Sequence, residues 1–331
     1  MSRKRFFIIL ISSTLLSGWS HYLLENKTTQ FTTACIGLLL WAALLAKATE
    51  GVAYYLGDRL GGLLNATFGN AAELIISIFL IRAGLFDVVK ASIAGSIIGN
   101  LLLVLGLSAF CGGIKYKIQS FNSSLASHNA SLLMLSVISL FVPAVFLTNL
   151  SETKINTASL IIASLLMIGY FLWLYFSLWT HSSEFKSVEN EVKKEEHAPW
   201  PLSSSLILLL LSTTLVAVQS EWLVHSVTEV TQSLGWSKLF VGAFLIAIVG
   251  NAAEHSAAIF LAMKNRMGIA MEIAIGSSLQ IALFVAPMLV FISLLFGNPM
   301  NIIFSHYEIA AIAVSSFIVS SISRDGSTNW Y

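Results

Sequence analysis

Two glutamates recur in one five-residue setting, Gly69-Asn70-Ala71-Ala72-Glu73 and Gly250-Asn251-Ala252-Ala253-Glu254. The offset of 181, from 69 to 250, holds without a gap: Ile78-Phe79-Leu80 meets Ile259-Phe260-Leu261, and Gly95-Ser96 meets Gly276-Ser277. Agreement over that length marks an internal repeat. Both glutamates fall inside apolar runs. A charge at the centre of a spanning helix costs about 2.5 to 3.5 kcal/mol, which makes each of them a functional-site residue by default. Asn and Glu stand three apart in each copy, so a helix would project Asn70 with Glu73, and Asn251 with Glu254, from one face.

The set offers hard oxygen donors and no thiolate or imidazole cluster. Calcium takes about six to eight oxygens in flexible geometry, so Glu73 and Glu254 are the expected metal ligands, with amides, hydroxyls, carbonyls and water completing the shell. Manganese shares that ligand chemistry. When the cation leaves, two neighbouring carboxylates in a poorly solvated cavity do not both keep their charge, so protons are its natural replacement. Mutual exclusion of calcium and protons, joined to a motion that opens the loaded site to either side, gives antiport.

The elements that must position these acids lie in lipid. Of 331 residues, 56% are hydrophobic and only 11% charged, with a mean hydropathy of +0.81, a balance that excludes a water-facing globular domain. The net charge of +1 points to no nucleic-acid partner. Apolar runs predict helices near 6–24, 31–57, 62–82, 87–112, 124–148, 154–180, 203–233, 237–263, 269–296 and 303–322. The expected fold is therefore an all-α membrane protein of about ten transmembrane helices. A lone N-terminal helix occupies 1–30, a first repeat 31–180, an acidic linker 181–202, and a second repeat 203–331. The motif helix is third in one copy and eighth in the other, an odd separation, so the two copies enter the membrane in opposite directions. The linker carries Glu184, Glu189, Glu191, Glu195 and Glu196. It reads as a solvated connection, or alternatively as a segment that senses calcium. The bias of Lys and Arg, beginning with Arg3-Lys4-Arg5, puts the N-terminus and the linker in the cytoplasm. With no long targeting extension, the expected location is a prokaryotic plasma membrane. Cys35 and Cys111 show no metal-site spacing and read as small buried hydrophobes.

Gly-Asn-Ala-Ala-Glu-Leu with the following Gly-Ser-Ile-Ile-Gly-Asn-Leu-Leu-Leu-Val-Leu-Gly, and Gly-Asn-Ala-Ala-Glu-His with Gly-Ser-Ser-Leu-Gln-Ile-Ala-Leu-Phe-Val-Ala-Pro, resemble the calcium/proton exchanger (CAX) family of the calcium/cation antiporter superfamily. The similarity covers nearly the whole chain from the second span onward. It implies a secondary antiporter in which Glu73 and Glu254 bind cation or protons and Asn70, Asn251, Ser96, Ser277 and Gln280 line the site, together with Asn100 beside the Gly99 that aligns with Gln280. His255 follows the second acid as in the family and is expected to tune its protons. Sodium-coupled relatives differ in these stretches, which favours protons as counter-ion. The family has a lone helix and two sets of five. Shifting 154–180 by 181 places the last helix near 335–361, beyond Tyr331, so the second repeat is expected to be incomplete. A sodium/calcium exchanger, a manganese/proton exchanger and a non-transporting truncated homologue are the alternatives.

Other polar residues have a bland reading beside a functional one. Glu50 follows Thr49 and Glu229 follows Thr228, an echo of the repeat that could flank an ion path or sit at the interface. Lys47 is three before Glu50, as an internal pair would be. Glu221 and His225, four apart, suit a proton relay or a structural pair. Glu272 opens the ninth helix as a cap-region charge. Tyr170 to Trp179 reads as an aromatic belt. No His-Glu-x-x-His or Gly-x-Ser-x-Gly motif occurs, so an enzyme is not expected, nor a cofactor; calcium is the transported substrate. The partners expected are calcium ions, protons and the lipid bilayer.

Overall fold

The computed structural model describes residues 3–147, 150–181 and 200–329. The acidic residues of the expected linker, Glu184 to Glu196, lie outside the described residues. Among the described residues, nine helical stretches are long and apolar enough to cross a membrane, and a tenth, His306–Ile322, is shorter. These match the ten apolar runs of the sequence. The chain forms two compact units, each drawing on both halves of the sequence: Met1–Val89 with Ala198–Ala253, and Lys90–His197 with Glu254–Tyr331.

The first unit is built from α1 (Arg3–Leu23), α2 (Lys27–Phe68), α3 (Ala71–Arg82), α8 (Leu202–Ser233) and the opening residues of α9 (Ala247–Ala262). α2 packs along α8, with α1 against α2 and α3 against α8. Polar pairs lock this apolar contact: Ser17 Oγ donates to Gln219 Oε1 at 2.8 Å and Trp41 Nε1 to Thr14 Oγ1 at 2.7 Å. The break expected after residue 57 is found: Gly57 leaves helical geometry (φ 75°), a conformation glycine adopts without steric cost, and separates the spans Lys27–Gly57 and Arg59–Arg82. A further break follows at Gly69-Asn70.

The second unit holds most of α4 (Phe86–Ile98), a π-helical turn at Gly99–Val104, α5 (Leu105–Lys115), α6 (Ser123–Phe146), α7 (Glu152–Tyr175), the rest of α9, α10 (Met267–Gln280), a second π turn at Ile281–Val285, α11 (Ala286–Leu295) and α12 (His306–Ile322). α6 packs on α10 and α12, and α7 on α11. β1 (Gln119–Ser120) and β2 (Ser327–Thr328) pair antiparallel, Gln119 opposite Thr328. Ser305 and Glu308 form a capping box that starts α12. Tyr170, expected in the aromatic belt, is instead fully buried and stacks on Phe284 at 4.9 Å, because its face of α7 meets the unit's core; Phe171 and Tyr175 remain exposed.

Outward-facing residues are large and apolar, among them Leu15, Leu165, Leu210 and Leu295, as lipid requires. Hydroxyls within the spans fold back onto their own helices, Thr49 to Leu45 O (2.9 Å) and Ser136 to Leu132 O (2.8 Å), so no donor is left facing hydrocarbon at those positions.

Candidate ion-binding site

The two copies of the motif fold differently. In the first, Asn70 leaves helical geometry (φ −94°, ψ 15°) and becomes the N-cap of α3, making no side-chain cap bond. The expected shared helical face of Asn70 and Glu73 is thus replaced by a cap followed by a first-turn acid. There the positive end of the helix dipole favours a carboxylate. In the second copy the helix runs unbroken from Lys238–Phe240 through a π turn, Val241–Ile246, into α9, and Asn251 and Glu254 do share a face.

Within the first unit, Glu73 is 6% exposed, and its Oε1 accepts a hydrogen bond from Asn251 Nδ2, which also donates to Ala247 O at 2.9 Å. Gly250 explains how the two approach so closely. A Cβ built there would lie 2.8 Å from Glu73 Cγ, nearer than side chains tolerate. The Gly-Asn of one copy therefore receives the Glu of the other.

Within the second unit, His255 Nε2 lies 2.9 Å from Asn100 Oδ1, and both residues are buried. Asn100 sits in the π turn Gly99–Val104, a wider helical geometry that recurs at functional sites. With Oδ1 as partner, Nε2 is the nitrogen that carries the proton. Ser96 and Ser277 are buried, while Glu254 and Gln280 are half-buried. Gln280 ends α10 where the second π turn begins, at the place in the repeat corresponding to the first. Ser278 Oγ reaches Ile97 O at 3.5 Å, and 97 and 278 are equivalent positions of the repeat.

Glu50, Glu221 and Glu229 occupy exposed positions of α2 and α8. His225 meets the His21 ring edge-on at 5.4 Å, whereas the sequence offered Glu221 as its partner. Lys47 places its ammonium 5.9 Å from the centre of the Phe6 ring. Glu272 is not a cap: it lies in the second turn of α10 and accepts a hydrogen bond from Asn129 Nδ2 of α6 at 2.9 Å. Its partner sits 143 positions away, so no local pattern announced the pair. Likewise unannounced are Gln119 Nε2, which donates to Ala262 O at 2.8 Å, and Lys90 Nζ, which donates to Asn301 Oδ1 at 2.6 Å. Among the described residues, no group of three or more His, Cys, Asp or Glu gathers around a point. A cation bound at these acids would draw on amide, hydroxyl and backbone oxygens as well.

Apolar spanning helices that carry two copies of an acid motif make this chain a membrane transport protein. It belongs to the sodium/calcium exchanger protein family, whose model matches residues 27–179 and 204–331. The chain is 43% identical over 328 residues to the Ca(2+)/H(+) antiporter ChaA of Bacillus subtilis (strain 168), covering 98% of this chain and 93% of that protein. It is also 43% identical over 338 residues to the Ca(2+)/H(+) antiporter of Aphanothece halophytica, covering 98% and 90%. The structure of native YfkE is similar with a TM-score of 0.85 at 40% identity, covering 98% of this chain and 93% of that one. An H+/Ca2+ exchanger, CAX, shares the fold with a TM-score of 0.74 at 14% identity, covering 98% and 85%.

Proposed function

We propose that this chain exchanges calcium ions for protons across a membrane by alternating access, with Glu73 and Glu254 as the acids that bind cation or protons in turn. One observation carries the reading: Glu73, a carboxylate inside a spanning segment, is buried at the start of α3 and held by the Asn251 amide of the other motif copy. Keeping a carboxylate there is costly unless it has a task. The full-length likeness to Ca(2+)/H(+) antiporters supports calcium and protons as the exchanged pair. Ser96, Ser277, Gln280, Asn70 and Asn100 supply further oxygens, and His255, fixed by Asn100, tunes the proton on its neighbour Glu254.

The inverted-repeat reading draws support from the contact between Ile97 and Ser278. A residue that touches its own repeat mate lies on the axis relating the copies, as a pseudo-two-fold in the membrane plane would place it. In this reading the N-terminus is cytoplasmic, the membrane is a prokaryotic plasma membrane, and Glu50, Glu221 and Glu229 flank the route to the site. No catalytic role is assigned to any residue.

The test is calcium uptake into proteoliposomes holding a pH gradient, comparing the wild type with Glu73→Gln and Glu254→Gln, and with a sodium gradient substituted. Uptake driven by protons and abolished in both variants is expected. Full uptake by either variant, or coupling to sodium alone, would refute the proposal.

A further inference from the structure

The pair formed by Glu272 and Asn129 belongs to neither copy of the motif. In a duplicated chain a structural pair is expected twice, yet the repeat-related positions, 181 residues away, are Ala91 and Ala310. Both members are missing together. Whatever Glu272 does, it does once, on one side of the pseudo-symmetry.

Its placement on α10 gives a direction. Glu272, Gly276 and Gln280 are spaced four apart and fall on one helical face, Gln280 being about 12 Å from Glu272 along the axis. Gly276, between them, is buried, and a Cβ built on it would meet no atom within 4 Å. Interior space therefore lies beside the helix between the acid and the residue expected at the ion. At the other end Glu272 lines a cavity of about 20 Å³, shared with Phe121, Asn122 and Met271, which is large enough for one water molecule. Asn129 is fully buried one turn along α6 from the cavity-lining Leu125 and Ala126, and its Oδ1 has no hydrogen-bond partner among the described residues. A buried acceptor beside a carboxylate is satisfied when a donor arrives, either a water or the O–H of a protonated Glu272 after rotation.

The surroundings leave that proton to Glu272. From α6 it faces the neutral Asn129, while the adjacent His128 stacks its ring on Phe176 at 4.8 Å. On α10 the nearest charged residue in sequence is Arg266, at the N-cap. Gln119, in β1 before α6, is engaged with Ala262 and Asn265.

We propose that Glu272 is a proton-relay residue, passing protons between the ion site and the side of the membrane on which α10 begins, along the face that carries Gly276 and Gln280. This role rests on the calcium/proton exchange proposed above. Protons move one after another from water to a Glu272 oxygen and onward to the site, two replacing each calcium that leaves the two acids, so charge balances without any other reactant.

The experiment uses the full chain in proteoliposomes and separates two modes: calcium uptake driven by a pH gradient, and isotopic calcium-for-calcium exchange at equal pH, which moves no protons. In Glu272→Gln the side-chain carbonyl still accepts from Asn129, so packing is kept and only proton carriage is lost. The expected result is proton-driven uptake slowed by at least about tenfold, isotopic exchange and the KM for calcium within about twofold of wild type, and partial recovery in Glu272→Asp. Wild-type proton-driven rates in Glu272→Gln at every pH would overturn the relay, as would equal slowing of both modes, which would make the pair a structural clasp. A wild type that exchanges calcium isotopically but never against protons would instead remove the exchange reading on which the relay rests.

Discussion

Substituting Gly250 by Ala tests how Glu73 is held. The added Cβ would stand 2.8 Å from Glu73 Cγ but 3.7 Å from its Cα and 3.8 Å from its Cβ. The backbone of α3 is already at ordinary contact distance. The shortfall of about 0.6 Å to a 3.4 Å contact must come from the Glu73 side chain. Turning the side chain away draws the carboxylate off Asn251 Nδ2, its partner in the first unit. An overpacked methyl of this kind costs about 1 to 3 kcal/mol. Taken from the loaded state, that cost corresponds to calcium affinity weakened by about 5- to 150-fold, at tenfold per 1.4 kcal/mol. Titration calorimetry of the purified protein with calcium measures it directly, and the half-saturating calcium of proteoliposome uptake measures it independently. Gly106→Ala is the control, because a Cβ there meets nothing within 4 Å. Affinity in Gly250→Ala equal to that of Gly106→Ala and wild type would refute the argument that the glycine exists to admit Glu73.

Asn251→Ala removes the amide from Glu73, a hydrogen bond to a charged group worth about 1.5 to 3 kcal/mol, so calcium binding should weaken by roughly 10- to 150-fold in the same titration. Ser305→Ala breaks the capping box of α12 at a cost of about 0.5 to 2 kcal/mol, so the unfolding temperature should fall while calcium affinity stays put. Gln119→Leu leaves the Ala262 carbonyl without its side-chain donor. Hydrogen exchange at the C-terminal turn of α9 should then quicken, with unchanged protection there counting against the contact.

What the sequence made legible follows from how local each signal is. Ten apolar runs announce ten helices because lipid demands continuous hydrophobic length, and the acid motif announces itself because it is repeated word for word. The departures are all non-local. The run 62–82 predicts one helix, yet the chain breaks inside it, at Gly69-Asn70. Tyr170 looked like a belt residue by composition, but the face of α7 it occupies is covered by Phe284. Glu272 reads as a cap by its nearness to a helix start, and only the arrival of Asn129 from α6 reveals a half-buried pair. His255 and Asn100, 155 positions apart, are each placed at the site by family resemblance, and no spacing predicts that they meet. The π turns at Gly99–Val104 and Ile281–Val285 have no composition signal of their own, although their equivalent places in the repeat were within reach of the same offset.

Equal sequence has not produced equal sites. Glu73 stands in the first turn of α3, directly after the break at Gly69-Asn70, and meets the positive end of a helix. Glu254 stands eight residues into α9, whose axis continues upstream through the π turn, so the dipole that favours a carboxylate at Glu73 is spent before it reaches Glu254. The second acid is instead followed by a histidine bonded to Asn100, where the first is followed by Leu74. Only the second copy carries a further carboxylate bonded to α6 along its Gly-Ser helix, with Ala91 in the matching place of the first. Duplication supplied two acids; divergence around them left one at a helix start and the other beside a histidine, and in the proposed exchange the second is the one accompanied by proton-handling groups. An exchanger that must release calcium to one side and take protons from the other has use for that inequality, since two acids with identical surroundings would give the cycle no preferred place to receive the first proton.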